Sequence, residues 1–315
     1  MPLHPQLVLM RAHRAAAGDR PLYEMSLAEA RAADLAAIKA DRGTAHPVGE
    51  VVPLRIGDLD ARLYRPAGTG GEPLPVITYF FGGGWVLGSL ETCDGICRRL
   101  CTDTGALVVS VGYRLAPEHP FPAAPRDCHA AVRWLAEHAG ELGGDPARIA
   151  VAGDSAGGNL AAAVTLQARE SGTPLAAQVL VYPNVAYGSD TPSMRDNADP
   201  YFFNRTSVAW YWGHYLADPA DGADPLASPL RAPDLSGLPP ALVVTAEFDP
   251  LRDEGEQYAE RLRAAGVPVE LARYDGVTHG FFTMTGVLEE AREATVQVAE
   301  YLRKALRVDG GQYRT

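Results

Sequence analysis

A serine hydroxyl attacks a carbonyl carbon at neutral pH only when a base takes its proton and a carboxylate orients that base. This chain carries residues of all three types. Gly153-Asp154-Ser155-Ala156-Gly157 follows the apolar run at 148–152 and precedes a helix-forming stretch that starts at Gly158. A strand, a glycine-framed turn and a helix, with one serine at the apex, push the hydroxyl into an exposed, strained position. Small residues at 153 and 157 are a steric requirement, because strand and helix approach each other closely around the serine. With 32 Gly in 315 residues the bare five-residue pattern arises by chance, so it is the strand-turn-helix context that makes Ser155 a nucleophile.

The partners follow from position. An open parallel sheet gathers its chemistry beyond the C-terminal ends of its strands. Of the eight histidines, His4, His13 and His46 precede or flank the sheet, His119 lies in a proline-rich connection, His129 and His138 on a helix, and His214 in an insertion. His279, in Val277-Thr278-His279-Gly280-Phe281, stands between a late strand and a helix and is the expected base. Asp249 ends the strand at 241–246 on the same edge and is the expected carboxylate. Asp253 and Glu254 fall in the next helix, where the positive end of the helix dipole already accounts for acidic side chains. Ser155, Asp249, His279 is the nucleophile-acid-base order of the α/β-hydrolase arrangement. Gly82-Gly83-Gly84, directly after a buried strand, offers backbone N–H groups for the oxyanion of an attacked ester. No Gly-Lys-Ser/Thr follows these glycines, which argues against a phosphate cradle.

Strand patterns at 51–56, 59–65, 74–80, 106–112, 148–152, 177–182, 241–246 and 267–274 alternate with helical patterns from the cysteine-bearing stretch onward. That alternation predicts an α/β fold with a mostly parallel central sheet, helices on both faces and a helical cap. Residues 1–45 read as two short helices outside the sheet, broken at Gly18 and Pro21, and form the N-terminal part of the cap. Residues 46–183 and 239–315 form the core. Residues 184–238, rich in Pro, Asp, Tyr and Trp with a helix at 206–216, interrupt it as a second cap segment.

Composition narrows the partners. The chain is 47% hydrophobic and 21% charged, with no apolar run approaching the roughly 20 residues that span a bilayer. A net charge of −11 and no basic run disfavour nucleic acid or an anionic membrane surface. Leu7-Val8-Leu9-Met10 is interrupted by Arg11, His13 and Arg14, unlike a secretory leader, so a cytoplasmic protein is expected. Cys93, Cys97 and Cys101 share one helical stripe, from which three thiolates cannot wrap one ion; with Cys128 they read as reduced, buried packing. No metal or cofactor is expected.

With these residues in place, the chain resembles the hormone-sensitive-lipase-like esterases, the bacterial group called family IV. The resemblance spans nearly the whole chain and rests on FGGGW at 81–85, YRLAPEHPFPAA at 113–124, GDSAGGN at 153–159, YP at 182–183, DPLRDEG at 249–255 and THGF at 278–281. It implies a carboxylesterase with a Ser155-Asp249-His279 triad and an oxyanion hole formed by the N–H groups of Gly83, Gly84 and Ala156. It also implies a cap whose aromatics wall the substrate pocket. Trp85, Asp154, Tyr201, Phe202 and Tyr211 are the expected substrate-binding residues, and the bulky aromatics point to small or medium acyl esters. Related proteins are often homodimers paired through a sheet edge. The departure is Phe81, where the family has a histidine whose hydrogen bonds shape the glycine loop. Because the donors are backbone groups, catalysis is expected to survive with the loop held by packing. The same site accommodates amide hydrolysis or acyl transfer, and the missing histidine raises a catalytically silent receptor as a further alternative.

Overall fold

The nearly continuous apolar run 74–80 forms a strand buried on both faces, and the sheet is built outward from it. A computed structural model of the chain describes residues 1–68 and 71–308. Its strands are β1 (Glu50–Ile56), β2 (Leu59–Arg65), β3 (Leu74–Phe80), β4 (Leu107–Gly112), β5 (Gly144–Asp154), β6 (Ala177–Val181), β7 (Ala241–Phe248) and β8 (Val269–Thr278). They form one sheet in the order β1-β2-β4-β3-β5-β6-β7-β8. The β1–β2 and β2–β4 pairs are antiparallel and the other pairs are parallel. The helices are α1 (Pro5–Ala17), α2 (Leu27–Asp41), α3 (Asp94–Thr104), α4 (Ala123–His138), α5 (Ala156–Ser171), α6 (Pro192–Asp196), α7 (Arg205–Tyr215), α8 (Arg252–Ala264) and α9 (Glu289–Ala305). The architecture is the expected α/β-hydrolase fold. None of the described helices is long and apolar enough to cross a membrane.

Two strands run further than their sequence pattern. β5 begins at Gly144, because Leu74 of β3 pairs with Gly144 across a register shift before regular pairing resumes at Val76–Ile149. β8 continues through Asp275-Gly276, a turn signal by composition, and reaches Thr278. Gly276 absorbs the irregularity at φ 76°, and the register with β7 resumes at Phe248–Thr278. The extension matters, because it carries the chain to the residue just before His279.

Outside the sheet, α2 starts with a capping box in which Ser26 and Glu29 satisfy each other's backbone N–H groups. Asn204 caps α7 by accepting from the N–H groups of Thr206 and Ser207. Arg31 straps α2 to the core: its guanidinium donates to the carboxylate of Glu118 at 2.7 and 2.8 Å and to the carbonyls of Val86 and Ala116 at 2.9 and 3.1 Å. α1 is tied to the 184–238 stretch by the Arg11–Asp199 ion pair and by Arg14 donating to the carbonyl of Tyr201 at 2.7 Å.

Candidate active site

β5, next to the middle of the sheet, ends at Asp154, and α5 begins at Ala156, so Ser155 is the entire turn between them. Its backbone sits at φ 56° and ψ −118°, a conformation that costs a non-glycine residue about 1–3 kcal/mol and persists only when neighbours impose it. Here they do. The Ser155 N–H donates to the Val181 carbonyl at 2.8 Å, and the Ser155 carbonyl accepts from the Asn159 N–H at 3.0 Å. The flanking glycines are required by contact: a Cβ at Gly157 would overlap the Phe80 carbonyl, and one at Gly153 would lie 2.7 Å from that same oxygen.

The structure brings the three expected residues together. His279 Nε2 lies 2.9 Å from Ser155 Oγ, and His279 Nδ1 lies 2.8 Å from Asp249 Oδ2. Asp249 is fully buried, and its other oxygen accepts from the Leu251 N–H at 2.8 Å, so both sides of the carboxylate are held. The imidazole is clamped between Phe203, stacked at 4.1 Å and 22° between ring planes, and Tyr182, with ring centroids 4.5 Å apart. Geometry of this kind lets the nitrogen facing Ser155 act as an acceptor while the carboxylate holds the proton on the other nitrogen.

Opposite the serine, the glycine loop leaves β3. Gly83 and Gly84 adopt φ 110° and 60°, and a Cβ at Gly84 would overlap the Tyr211 ring. Among the described residues, no group accepts a hydrogen bond from the N–H of Gly83, Gly84 or Ala156. Phe81 holds the loop by packing: its ring stacks on Tyr113 at 4.4 Å, and the Tyr113 hydroxyl donates to the Phe81 carbonyl at 2.7 Å. The loop is also tied to the elbow. Asp154 Oδ1 accepts from the Tyr79 hydroxyl at 2.7 Å and from the Gly82 N–H at 3.1 Å, while burial pushes this carboxyl above the usual range.

A cavity of about 580 Å³ opens over Ser155, within the size range of small-molecule sites. Tyr201, Phe202 and Tyr211 line it. The guanidiniums of Arg11 and Arg14 lie 5.3 and 6.0 Å from the rings of Tyr201 and Phe202. Trp85 corrects its expectation. It is wholly buried behind the loop, stacked on Tyr215 at 4.1 Å and packed on Trp212, and it is not among the residues lining the cavity. The rings of Tyr215 and Trp212 give the indole an aromatic surface to pack against on the side away from the cavity. Asp154 borders the cavity, but its Oδ1 is committed to Tyr79 and Gly82.

Sequence reasoning missed Phe203 as a wall of His279, and it missed Asp34. Asp34 belongs to the part of α2 that lines the cavity with Ala33, Ala36, Ala37, Ile38 and Asp41, and a mid-helix acid flanked by alanines was the available signal. It also assigned Glu254 only to the helix dipole. Glu254 is in fact fully buried and accepts from the N–H groups of Val185 and Ala186 at 2.7 and 3.2 Å. The four cysteines are free and buried. Among the described residues no cluster of His, Cys, Asp or Glu is suited to a metal ion.

Residues 77–283 match the family described as alpha/beta hydrolase fold. Carboxylesterase NlhH of Mycobacterium tuberculosis is 48% identical over 255 residues, covering 79% of this chain and 79% of that protein. The carboxylic ester hydrolase LipN of the same organism is 47% identical over 240 residues; the match covers 74% of this chain and 63% of LipN. Among solved structures, a hyperthermophilic esterase from the archaeon Pyrobaculum calidifontis superposes with a TM-score of 0.90 at 44% identity, covering 96% of this chain and 99% of that one. Matches of this length and identity, together with a serine, histidine and aspartate in hydrogen-bond contact at the strand ends, mean that the chain belongs to the α/β-hydrolase family, within its hormone-sensitive-lipase-like esterases.

Proposed function

We propose that the protein is a serine carboxylesterase that hydrolyses small to medium acyl esters through an acyl-enzyme. The observation that carries this reading is the continuous contact from Ser155 Oγ through His279 to Asp249, at 2.9 and 2.8 Å, beneath a cavity of about 580 Å³. Relatives named as carboxylesterases and esterases support it.

In this mechanism Ser155 Oγ bonds to the ester carbonyl carbon as its proton passes to His279 Nε2. The carbonyl oxygen becomes an oxyanion, and in this reading the N–H groups of Gly83, Gly84 and Ala156 receive it, each worth a few kcal/mol in the transition state. The bond to the alcohol oxygen then breaks, and His279 returns the proton to the departing alcohol. Water attacks the acyl-enzyme in a second round, again giving a proton to His279, which restores the Ser155 hydroxyl as the acid leaves. Asp249 holds the imidazole in the tautomer that both rounds need. A non-catalytic receptor has no use for a base in contact with a serine.

Residues 1–45 and 184–238 act as the cap in this reading, and 46–183 with 239–315 as the core. Tyr201, Phe202 and Tyr211 belong to the substrate walls because they line the cavity. A cytoplasmic location fits four free cysteines. Pairing of two copies through a sheet edge completes the reading and is checked by light scattering.

The deciding experiment joins hydrolysis of p-nitrophenyl butyrate to labelling by a fluorophosphonate probe. The native chain is expected to turn over the ester and take the label on Ser155. Ser155→Ala is expected to lose both while keeping its circular dichroism spectrum. Undiminished turnover by that variant overturns the assignment.

A further inference from the structure

The residues of α2 that line the cavity are Ala33, Asp34, Ala36, Ala37, Ile38 and Asp41. Asp34 stands mid-helix among small apolar neighbours. Its Oδ2 is buried with no hydrogen-bond partner, and no cation among the described residues pairs with it. The arginines that border the cavity are engaged elsewhere: Arg14 donates to the Tyr201 carbonyl, and Arg20 pairs with Glu29 at 3.5 Å. Loss of water around the carboxyl, with the neighbouring carboxylate of Asp154 adding to it, pushes Asp34 up to about 7. A half-buried carboxyl whose buried oxygen has no partner is costly to keep, and an alanine at this position would avoid that cost. Nor does the helix rotate Asp34 out to water. Arg31, one turn earlier, fixes its register through bonds to Glu118, Val86 and Ala116.

We infer that Asp34 is a specificity-determining residue whose carboxyl accepts a hydrogen bond from the substrate, so that the preferred esters carry a hydroxyl or ammonium donor away from the scissile bond. This rests on the esterase reading and names its substrate class. Ser155 and Asp34 line one cavity, and the negative charge of Asp34 also acts on Tyr211, whose ring packs against the glycine loop. A donor group entering under α2 would therefore sit in the same space as the ester being attacked. A site built around a buried acceptor rejects a ligand that lacks the donor more strongly than an apolar wall rejects a misfit of shape.

The test uses pairs of esters that differ only in the donor. Ethyl 3-hydroxybutanoate is compared with ethyl 3-methoxybutanoate, and 2-hydroxyethyl butanoate with 2-methoxyethyl butanoate, with kcat/KM read by pH-stat. The native chain is expected to favour the hydroxyl partner by about tenfold or more in at least one pair. Asp34→Leu is expected to bring that ratio to about one, while Asp34→Asn, which keeps an acceptor oxygen and nearly the same shape, retains part of it. A native ratio near one in both pairs overturns the inference, as does a ratio that Asp34→Leu leaves unchanged. If Asp34→Leu does not fold, Asp34→Ala, which removes the acceptor with a small helix-favouring side chain, decides, since a ratio identical to the native one would overturn the proposal. Hydrolysis of p-nitrophenyl butyrate that disappears in Ser155→Ala keeps the esterase reading standing in those cases; absence of ester turnover by the native chain sinks both.

Discussion

The Tyr79 hydroxyl donates to Asp154 Oδ1 at 2.7 Å, and the same oxygen accepts from the Gly82 N–H. One carboxylate therefore joins the residue before the nucleophile to the loop that faces it, setting the separation between Ser155 and the N–H groups of Gly83 and Gly84. Tyr79→Phe removes one of those bonds inside a buried site. The expected loss is about 1–2 kcal/mol of stability by urea denaturation and about tenfold in kcat, with KM little changed. A variant with full kcat would mean that the loop is set by Phe81 and Tyr113 alone.

Asp249→Asn is expected to keep the fold and to lower kcat by about 10⁴, because the amide no longer favours the proton on His279 Nδ1. Steady-state hydrolysis of p-nitrophenyl butyrate measures it. A fall smaller than tenfold would exclude Asp249 as the orienting group.

Two glycines give opposite outcomes for the same substitution. Gly157→Ala places a Cβ on the Phe80 carbonyl, where backbone must move, and is expected to destabilise by about 3 kcal/mol or more and to abolish activity. Gly213→Ala, exposed on α7 with open space around it, is expected to stabilise by about 0.5–1 kcal/mol through helix propensity. Thermal unfolding of both variants checks the pair, and equal shifts would contradict the steric account.

Glu254 supplies a pH dependence. Burial raises its carboxyl to about 8, above the usual 4.5. The folded state then holds a proton that the unfolded chain releases, so this contribution to stability is complete below about pH 4.5 and is lost as the pH rises through about 8. Glu254→Gln mimics the protonated side chain at all pH values. Its stability relative to the native chain is expected to rise by about 1–3 kcal/mol between pH 5 and pH 9, read from urea midpoints. Parallel curves would show that Glu254 is ionised throughout.

Phe81→His tests whether packing alone suffices for the loop. The ring of Phe81 already fills the space against Tyr113, so kcat/KM is expected to change by less than about tenfold, with a stability loss of about 1–2 kcal/mol from the weakened stack. A gain of several orders of magnitude would show that the native loop is poorly formed.

Short-range chemistry was legible along the chain. The elbow at 153–157 is a local pattern, since a strand, a helix and two glycines impose the same geometry on the serine between them wherever they occur. His279 and Asp249 were found from strand order, because parallel topology delivers every C-terminal strand end to one side of the sheet. The full reach of β8 was not legible, since Asp275-Gly276 carries turn composition and only pairing with β7 overrides it. Nor was the inward turn of Trp85, which depends on Tyr215 and Trp212 arriving from α7, or the double contact of Glu254 with Val185 and Ala186. Asp34 lies 121 positions before Ser155 in the sequence. That its carboxyl would face the same cavity depends on how α2 seats on the core through Arg31, a long-range contact that residue spacing does not encode. The sequence by itself determined the reactive groups, because each follows from local pattern and strand order. Only the tertiary structure decided which side chains surround the substrate, because those contacts are made by segments distant along the chain.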